Sequence, residues 1–199
     1  MRVVGIDPSS KTGLVALDAA GKVLRAKELT GVGDKDPKRM ATLIDEIMAH
    51  IQPGDIVAIE GFAHNAGFGK KKSQSHDFQY GLGWGIRIAL HRRGIKYIDV
   101  APTQLKKFVG VTGWEGEPGS KRRLTDKEKK KAVMEAVRNR YSFIHPSDNV
   151  NDAFVLAKIA EILHDVQNGQ ALECYRKEEA DVIQAILSPS EKKRKKAAK

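Results

Sequence analysis

The 199-residue chain has a single cysteine, Cys174, and no long apolar run. One cysteine excludes an internal disulfide bond and any zinc site that needs several cysteines. The longest apolar segments, such as the one around residues 56–59, are far too short to cross a bilayer. The chain also begins with a strand-like segment rather than a charged and then apolar leader, so we expect a cytoplasmic protein without a membrane partner.

Positive charge is abundant and concentrated in two segments. The net charge is +10; residues 106–131 hold nine Lys and Arg against four acidic residues, and residues 188–199 hold six against one. These two segments account for the whole excess, which is typical of a protein that binds a polyanion. The alternative is a solubilising surface. We expect one domain over residues 1–187, followed by a basic, disordered tail over residues 188–199.

The order of the predicted elements indicates an α/β domain. Alternating apolar and β-branched residues predict three meandering strands, and helices then alternate with two further strands before the chain ends in helices. The predicted strands are residues 1–7, 13–17, 22–29, 55–61 and 97–100. The predicted helices are residues 37–51, 77–93, 102–108, 125–141, 147–166 and 173–187. Residues 110–124 are predicted to be a loop. Three antiparallel strands followed by two parallel ones make a mixed five-stranded sheet flanked by helices.

Acidic residues stand where such a sheet would gather them. Asp7 and Glu60 end the first and fourth predicted strands, and parallel neighbours end at the same edge of a sheet. Asp148 and Asp152 lie four residues apart, on one face of the last core helix. Taken singly, Asp7 could be a turn residue and Asp148 the first-turn acid of its helix.

Together these four carboxylates predict a metal site. They would repel one another unless a divalent cation held them, and hard oxygen ligands suit Mg²⁺ or Mn²⁺. Two such ions can activate a water and stabilise the leaving oxygen of a phosphodiester. The sequence therefore predicts a nuclease rather than an enzyme with a small-molecule cofactor.

Four segments resemble, in sequence and in order, the RuvC family of Holliday-junction resolvases. They are VGIDPSS with the following Thr12-Gly13, AIE with the following Phe62, Asn65 and Ala66, QLKKFVG, and DNVNDAFVLA, which begin at residues 4, 58, 104 and 148. The resemblance implies an RNase H-like fold and a homodimer that resolves four-way DNA by paired, metal-dependent hydrolysis. Asp7, Glu60 and Asp152 match the family's metal-binding positions.

The fourth metal-binding position departs from the family. Members usually carry an acid or a histidine three residues before the last aspartate, where this chain has Asn149. Asp148, four residues before Asp152, is the preferred substitute, and Asn149 as a neutral ligand is the alternative. The long 110–124 segment and the basic tail also depart from the family. They indicate a divergent member, viral or from a mobile element, acting in a bacterial cell or a phage-infected host.

Basic and aromatic residues complete the predicted site. The resemblance implies a lysine facing the scissile phosphate, and Lys130 is the best-placed candidate. Phe62 is predicted to stack on a base at the branch point, with core packing as the alternative. Predicted phosphate contacts, each of which could instead be a solvated surface charge, are Lys70, Lys71, Lys72, Lys106, Lys107, Lys121, Arg122 and Arg123.

Two other functions remain open on the sequence. A nuclease with broader choice would cut flaps, forks or R-loops, and a non-catalytic protein would bind junctions with its acids as remnants. For the dimer, the helix that carries Gly81, Gly83, Gly85, Ile86 and Leu90 is predicted to form part of the interface.

Overall fold

The computed structural model describes residues 1–62, 74–117 and 120–189, and of residues 74–76 the backbone alone. Its strands are β1 (Arg2–Asp7), β2 (Thr12–Asp18), β3 (Val23–Leu29), β4 (Ile56–Glu60), β5 (Tyr97–Val100), β6 (Trp114–Glu115) and β7 (Arg122–Arg123). Its helices are α1 (Lys38–Ala49), α2 (Gln74–Arg92), α3 (Pro102–Phe108), α4 (Asp126–Tyr141), α5 (Asp148–Gln167) and α6 (Lys177–Leu187), with a short 3₁₀ turn at Leu172–Cys174. In these ranges no helix is long and apolar enough to cross a membrane.

The main sheet confirms the predicted mixed topology. Its five strands lie in the order β3-β2-β1-β4-β5. The β1–β2 and β2–β3 pairs are antiparallel, whereas β4 runs parallel to both β1 and β5. Because β1 and β4 are parallel neighbours, with Ile6 opposite Ile59, Asp7 and Glu60 leave the sheet at the same edge.

Both faces of the sheet are covered, which explains why its central strands are apolar throughout. Val3 packs into a core formed with α3, α4, α5 and α6, whereas its neighbour Val4 packs on the opposite face against α1 and α2. This alternation follows from the two-residue period of a strand. The sheet is therefore the middle layer of three.

Helix α5 lies directly on the sheet because two glycines make room for it. A Cβ atom added to Gly5 in β1 would stand 1.9 Å from the carbonyl oxygen of Ala153, and one added to Gly13 in β2 would stand 1.9 Å from that of Asn149. The backbones of helix and strands thus touch near the helix N-terminus. This contact fixes the height of the first turns of α5 above the sheet edge where Asp7 lies.

The predicted capping box at the start of α4 is confirmed: the Thr125 hydroxyl accepts from the Glu128 amide, and the Glu128 carboxylate accepts from the Thr125 amide. The segment predicted as a loop, residues 110–124, differs in one respect. It contains the two-stranded hairpin β6–β7, in which Trp114 pairs with Arg123 and Glu115 with Arg122. Strands of two residues are too short to show an alternating pattern, so the hairpin could not be predicted from the sequence.

Candidate functional site

Carboxylates from three elements line one cavity of about 270 Å³ at the edge of the sheet. Asp7 comes from the end of β1, Glu60 from the end of β4 and Asp152 from the second turn of α5. Lys130 of α4 and Asn149 of α5 line the same cavity. Segments separated by up to 145 positions, from residue 7 to residue 152, therefore meet in one place.

Asp7 and Glu60 form a buried pair of acids. Asp7 is only 6% exposed. Burial, the charges of Glu60 and Asp152, and a hydrogen bond with Glu60 all raise its pKa well above the usual value. The pKa of Glu60 is also raised, by burial, although the hydrogen bond with Asp7 and the charge of Lys106 act in the opposite direction. Burial and mutual repulsion thus disfavour the ionised form of both carboxyl groups.

Asp152 is the third member of this acidic cluster. Burial and, second, the charge of Glu60 raise the pKa of Asp152 to about 7, although the charge of Lys106 acts to lower it. Asp152 thus belongs with Asp7 and Glu60 to a cluster in which burial first, and neighbouring negative charge second, disfavour the ionised carboxylates.

Asp148 stands apart from the other acids because it is paired. Its carboxylate forms a salt bridge with Lys130. Partial burial raises the pKa of Asp148, but the hydrogen bond and the charge of Lys130 outweigh it, and the pKa is lowered. The same contact raises the pKa of Lys130. Asn149, which lines the cavity, is anchored by donating from its side-chain amide to the carbonyl oxygen of Lys11 at 2.7 Å.

The donor set of the cavity fits a hard divalent cation. In the described part of the chain, no three His, Cys, Asp or Glu side chains are arranged to hold a metal ion as they stand. The carboxyl groups of Asp7, Glu60 and Asp152 nevertheless line one cavity, where a cation would offset the repulsion that raises their pKa values. Carboxylate oxygens are the ligands that Mg²⁺ and Mn²⁺ prefer. These three residues could hold a metal.

An arginine that the sequence did not indicate as buried stabilises this edge of the sheet. Arg87 of α2 is 3% exposed. It donates to the Asp99 carboxylate of β5, to the carbonyl oxygen of Glu60 at 3.1 Å and to that of Gly83 at 2.9 Å. It thereby ties α2 to the ends of both parallel strands and fixes the backbone that carries Glu60. A single arginine in a glycine-rich helix gives no sign in the sequence that it is buried.

Phe62 lies beside the acidic cluster, half-buried and packed on α2. Its ring stacks on Tyr80 with centroids 4.9 Å apart, and the Arg87 guanidinium lies 4.6 Å from its centroid. Phe62 also lines the cavity. Phe62 therefore both packs on α2 and lines the cavity.

The predicted phosphate-binding residues are in different environments. Lys106, at the end of α3, acts electrostatically on both Glu60 and Asp152. The neighbouring Lys107 instead forms a salt bridge of 2.9 Å with Asp181 of α6. Lys70, Lys71 and Lys72 lie outside the described residues, as does the tail from residue 190 onward.

The basic residues of the β6–β7 hairpin lie in two different environments. Arg122 is bound by two carboxylates, those of Glu115 and Glu128, and thereby ties the hairpin to the first turn of α4. Lys121 and Arg123 are exposed on the same hairpin. Glu128 lies two residues before Lys130, so the hairpin is anchored about 3 Å along the helix axis from the residue that lines the cavity.

Two of the residues predicted for the dimer interface on α2, Ile86 and Leu90, are wrong for that role, whereas the dimer itself stays a prediction. Ile86 and Leu90 are fully buried within the chain. The glycines contact the chain itself as well: a Cβ at Gly85 would stand 2.4 Å from Ile44, and one at Gly83 would stand 2.7 Å from Phe62. Their small size serves the packing of α2 on α1 and on Phe62.

No protein-family model matches the chain, and no curated protein matches it in sequence. Solved structures of RuvC from Thermus thermophilus do match it in fold. One, in complex with a Holliday junction substrate, is 16% identical, covers 85% of this chain and 96% of its own, and has a TM-score of 0.56. Another is 18% identical, covers 85% and 97%, and has a TM-score of 0.55. The fold is thus RNase H-like and similar to that of RuvC, as predicted.

Proposed function

We propose that this chain is a divalent-metal-dependent endonuclease that resolves four-way DNA junctions by paired hydrolysis of phosphodiester bonds. The observation that carries the proposal is the cavity in which Asp7, Glu60 and Asp152 meet with raised pKa values. Such a concentration of buried acid destabilises a protein unless it serves a cation. The RuvC-like fold, seen in a neighbour that was solved with a Holliday junction, supports the choice of substrate.

The acidic residues would act as the holders of two Mg²⁺ or Mn²⁺ ions. Asp7, Glu60 and Asp152 would hold them, with Asp148 or Asn149 as the fourth ligand. When bound, the ions supply an activated water and stabilise the leaving oxygen of the phosphodiester. Because a proton and a metal ion would occupy the same carboxylate oxygens, the two would compete at Asp7 and Glu60.

Lys130 would stabilise the negative charge that develops on the phosphate. It lines the cavity, and its ammonium forms a salt bridge with Asp148. A fixed positive charge next to the reacting phosphate lowers the energy of the transition state more than that of the substrate. In this role Asp148 positions the lysine, whether or not it also binds a metal.

The surroundings of the cavity would bind the DNA backbone. Lys106, Lys121 and Arg123 are the described candidates for phosphate contacts, and we assign Lys70, Lys71, Lys72 and the tail the same role. Lys107 and Arg122 are held by carboxylates. They would therefore contribute to the surface charge rather than contact a phosphate directly. Two copies of the chain are needed, because paired cuts in a two-fold substrate require two-fold symmetry. We place this homodimer in the cytoplasm of a bacterial cell or a phage-infected host.

A panel of labelled substrates tests the proposal. Four-way junctions, flaps, forks, R-loops and duplexes of matched sequence are incubated with the protein in Mg²⁺ and in Mn²⁺, at one stated salt concentration. We expect symmetric nicks in the four-way junction and little cutting of the duplex. Equal rates on flaps and junctions would instead identify a broader branched-DNA nuclease.

Asp7→Asn separates catalysis from binding. It removes one charge and keeps the shape of the side chain, so we expect junction binding to persist while cutting is lost. Asp45→Asn is the matched control, since Asp45 is an exposed acid on α1 that does not line the cavity. Binding without cutting by the unmodified chain, in either metal, would point to the non-catalytic alternative.

A further inference from the structure

The β6–β7 hairpin has two faces with different surroundings. Residues that pair across two strands point to the same face, and successive residues of a strand point to opposite faces. Glu115 pairs with Arg122, and the Arg122 guanidinium also forms a salt bridge with Glu128 of α4. Trp114 pairs with Arg123 on the other face. One face of the hairpin is therefore tied to α4, and the Trp114–Arg123 face points away from it.

The tryptophan of this face is held rigidly in solvent. Trp114 is 57% exposed. The Thr112 hydroxyl donates to the Trp114 carbonyl oxygen at 2.7 Å, and the Leu124 amide donates to the Gly113 carbonyl oxygen at 2.9 Å. These bonds fix the backbone at the base of the hairpin. A large apolar ring that stays in water forgoes the free energy of burial, and a partner that covered the ring would recover it.

The charges beside Trp114 indicate the kind of partner. In the part of the chain that the structure describes, neither Lys121 nor Arg123 forms a salt bridge, whereas Arg122 between them does. Residues 106–131 as a whole hold nine basic residues against four acidic ones. A second copy of the chain would bring the same positive charges against this face, and like charges repel. A polyanion is the complementary partner.

The hairpin adjoins the acidic cavity. The pKa of Asp126, the first residue of α4, is lowered chiefly by Lys129. The charges of Lys106 and Arg123 lower it further, so both cations lie near the start of α4. Lys106 also acts electrostatically on two carboxylates of the cavity. Along α4, Asp126 is about 6 Å from Lys130, which lines the cavity. Because DNA rises about 3.4 Å per base pair, the hairpin lies within a few base pairs of a phosphate in the cavity.

We propose that the Trp114–Arg123 face binds the duplex arm beside the scissile phosphate, with the Trp114 ring against the edges of the bases in the major groove. This inference rests on the proposed nuclease function. A two-stranded ribbon fits the major groove, which is about 12 Å wide, and not the minor groove, which is about 6 Å wide. Arg123 and Lys121 contact the phosphates that border the groove. The face thereby holds the arm in place while the cavity binds the phosphate that is cut.

Substitution of Trp114 tests the apolar part of the contact. In the Asp7→Asn background, where the junction stays uncut, we expect Trp114→Ala to weaken binding to a four-way junction by about 10-fold. The salt dependence of the affinity should not change, because no phosphate contact is lost. Trp114→Phe should restore most of the affinity.

Leu24→Ala is the matched control for that substitution. Leu24 is an apolar residue of β3 that is 52% exposed, and its removal should leave the affinity within about 2-fold. Melting temperatures check that each variant is folded. Unchanged junction affinity in Trp114→Ala would overturn the proposal.

Fluorescence locates the contact, because the chain has only two tryptophans, Trp84 and Trp114. In the double variant D7N/W84F, Trp114 is the sole tryptophan. We expect a four-way junction and a fully paired duplex both to change its emission, the duplex at higher concentration, since the contact is made to a duplex arm. A response to the junction alone would place Trp114 at the branch point. That result, or a response to neither DNA, would contradict the proposal.

The outcomes also distinguish this proposal from its alternatives. If Trp114→Ala converts a dimer to a monomer in sedimentation, this face is an interface between copies and the proposed DNA contact is wrong. If Trp114→Ala weakens junction binding but no metal supports cutting by the unmodified chain, the contact stands and the proposed hydrolysis fails. Metal-dependent cutting with unchanged junction affinity in Trp114→Ala would reject the contact alone.

Discussion

Two charge-dense regions of this protein, the acidic cavity and the β6–β7 hairpin, are built in opposite ways. In the cavity, Asp7, Glu60 and Asp152 are like charges brought together and shielded from water, and the pKa of each is raised. On the hairpin, Arg122 lies in solvent between Glu115 and Glu128. There the hydrogen bond from Arg122 and those from Thr125 lower the pKa of Glu128 to about 2.

This difference shows in which region of the fold charged side chains are not neutralised by their neighbours. The charges of an exposed ion pair neutralise one another, and such pairs contribute little to stability. The contacts of Arg122 with Glu115 and Glu128 therefore hold the hairpin in position against α4. Buried like charges cost stability and persist only if something else compensates for them. We therefore expect the cavity, and not the hairpin, to bind a cation. Substitutions in the two regions should have effects of very different size.

The largest effect is expected from Asp7→Asn. Loss of one metal ligand should reduce junction cutting by about 1,000-fold, since the metal contributes several kcal/mol to the transition state. In the absence of divalent ions the same change should raise the melting temperature, because it removes a charge from the acidic cluster. A gel assay and a thermal melt measure the two results. A variant that cuts normally would sink the site assignment.

Gly5→Ala tests the contact that places Asp152. The new Cβ would stand 1.9 Å from the carbonyl oxygen of Ala153, so α5 must move away from β1. We expect a loss of about 3 kcal/mol in the free energy of unfolding, measured by urea denaturation, together with slower cutting. Gly113→Ala is the matched control, because nothing lies within 4 Å of its added Cβ. Equal stability of the two variants would contradict the close approach of helix and strand.

The cavity also predicts an unusual dependence of stability on pH. Acids whose pKa is raised by folding bind more protons in the folded state, so stability falls as pH rises from the unfolded pKa to the folded one. For Asp152 that window runs from the ordinary aspartate value of 3.8 to about 7. Without divalent ions, the melting temperature should drop by about 5 °C across it. Mg²⁺ should restore more stability at pH 8 than at pH 5, and a flat profile would contradict the raised pKa values.

The smallest effects are expected on the hairpin. Arg123→Ala should weaken junction binding a few-fold and reduce the salt dependence of affinity by about one unit of slope, as loss of one phosphate contact does. Arg122→Ala should change the slope less, since its charge is already matched by Glu115 and Glu128. Titrations at several salt concentrations compare the two. A larger slope change for Arg122 would reverse the assignment of their roles.

The sequence alone determined the layers and the order of the elements. Apolar alternation marked the strands of the main sheet, helical spacing marked α1 and α5, and the Thr125–Glu128 capping box marked the start of α4. These signals are local, because a strand or a helix repeats its pattern over a few neighbouring residues. The meeting of Asp7 and Glu60 also followed from sequence, since both end strands that are parallel neighbours.

Only the tertiary structure decided which side chains the acids face. Arg87 donates to the carbonyl oxygen of Glu60, Lys130 pairs with Asp148, and Phe62 packs on Tyr80 and Arg87. These contacts depend on how α2, α4 and α5 cross the sheet. The closeness of α5 depends in turn on Gly5 and Gly13, which look like ordinary strand residues in the sequence. Contacts between distant segments follow from packing. Packing leaves no local pattern in the sequence, so these contacts cannot be predicted from neighbouring residues.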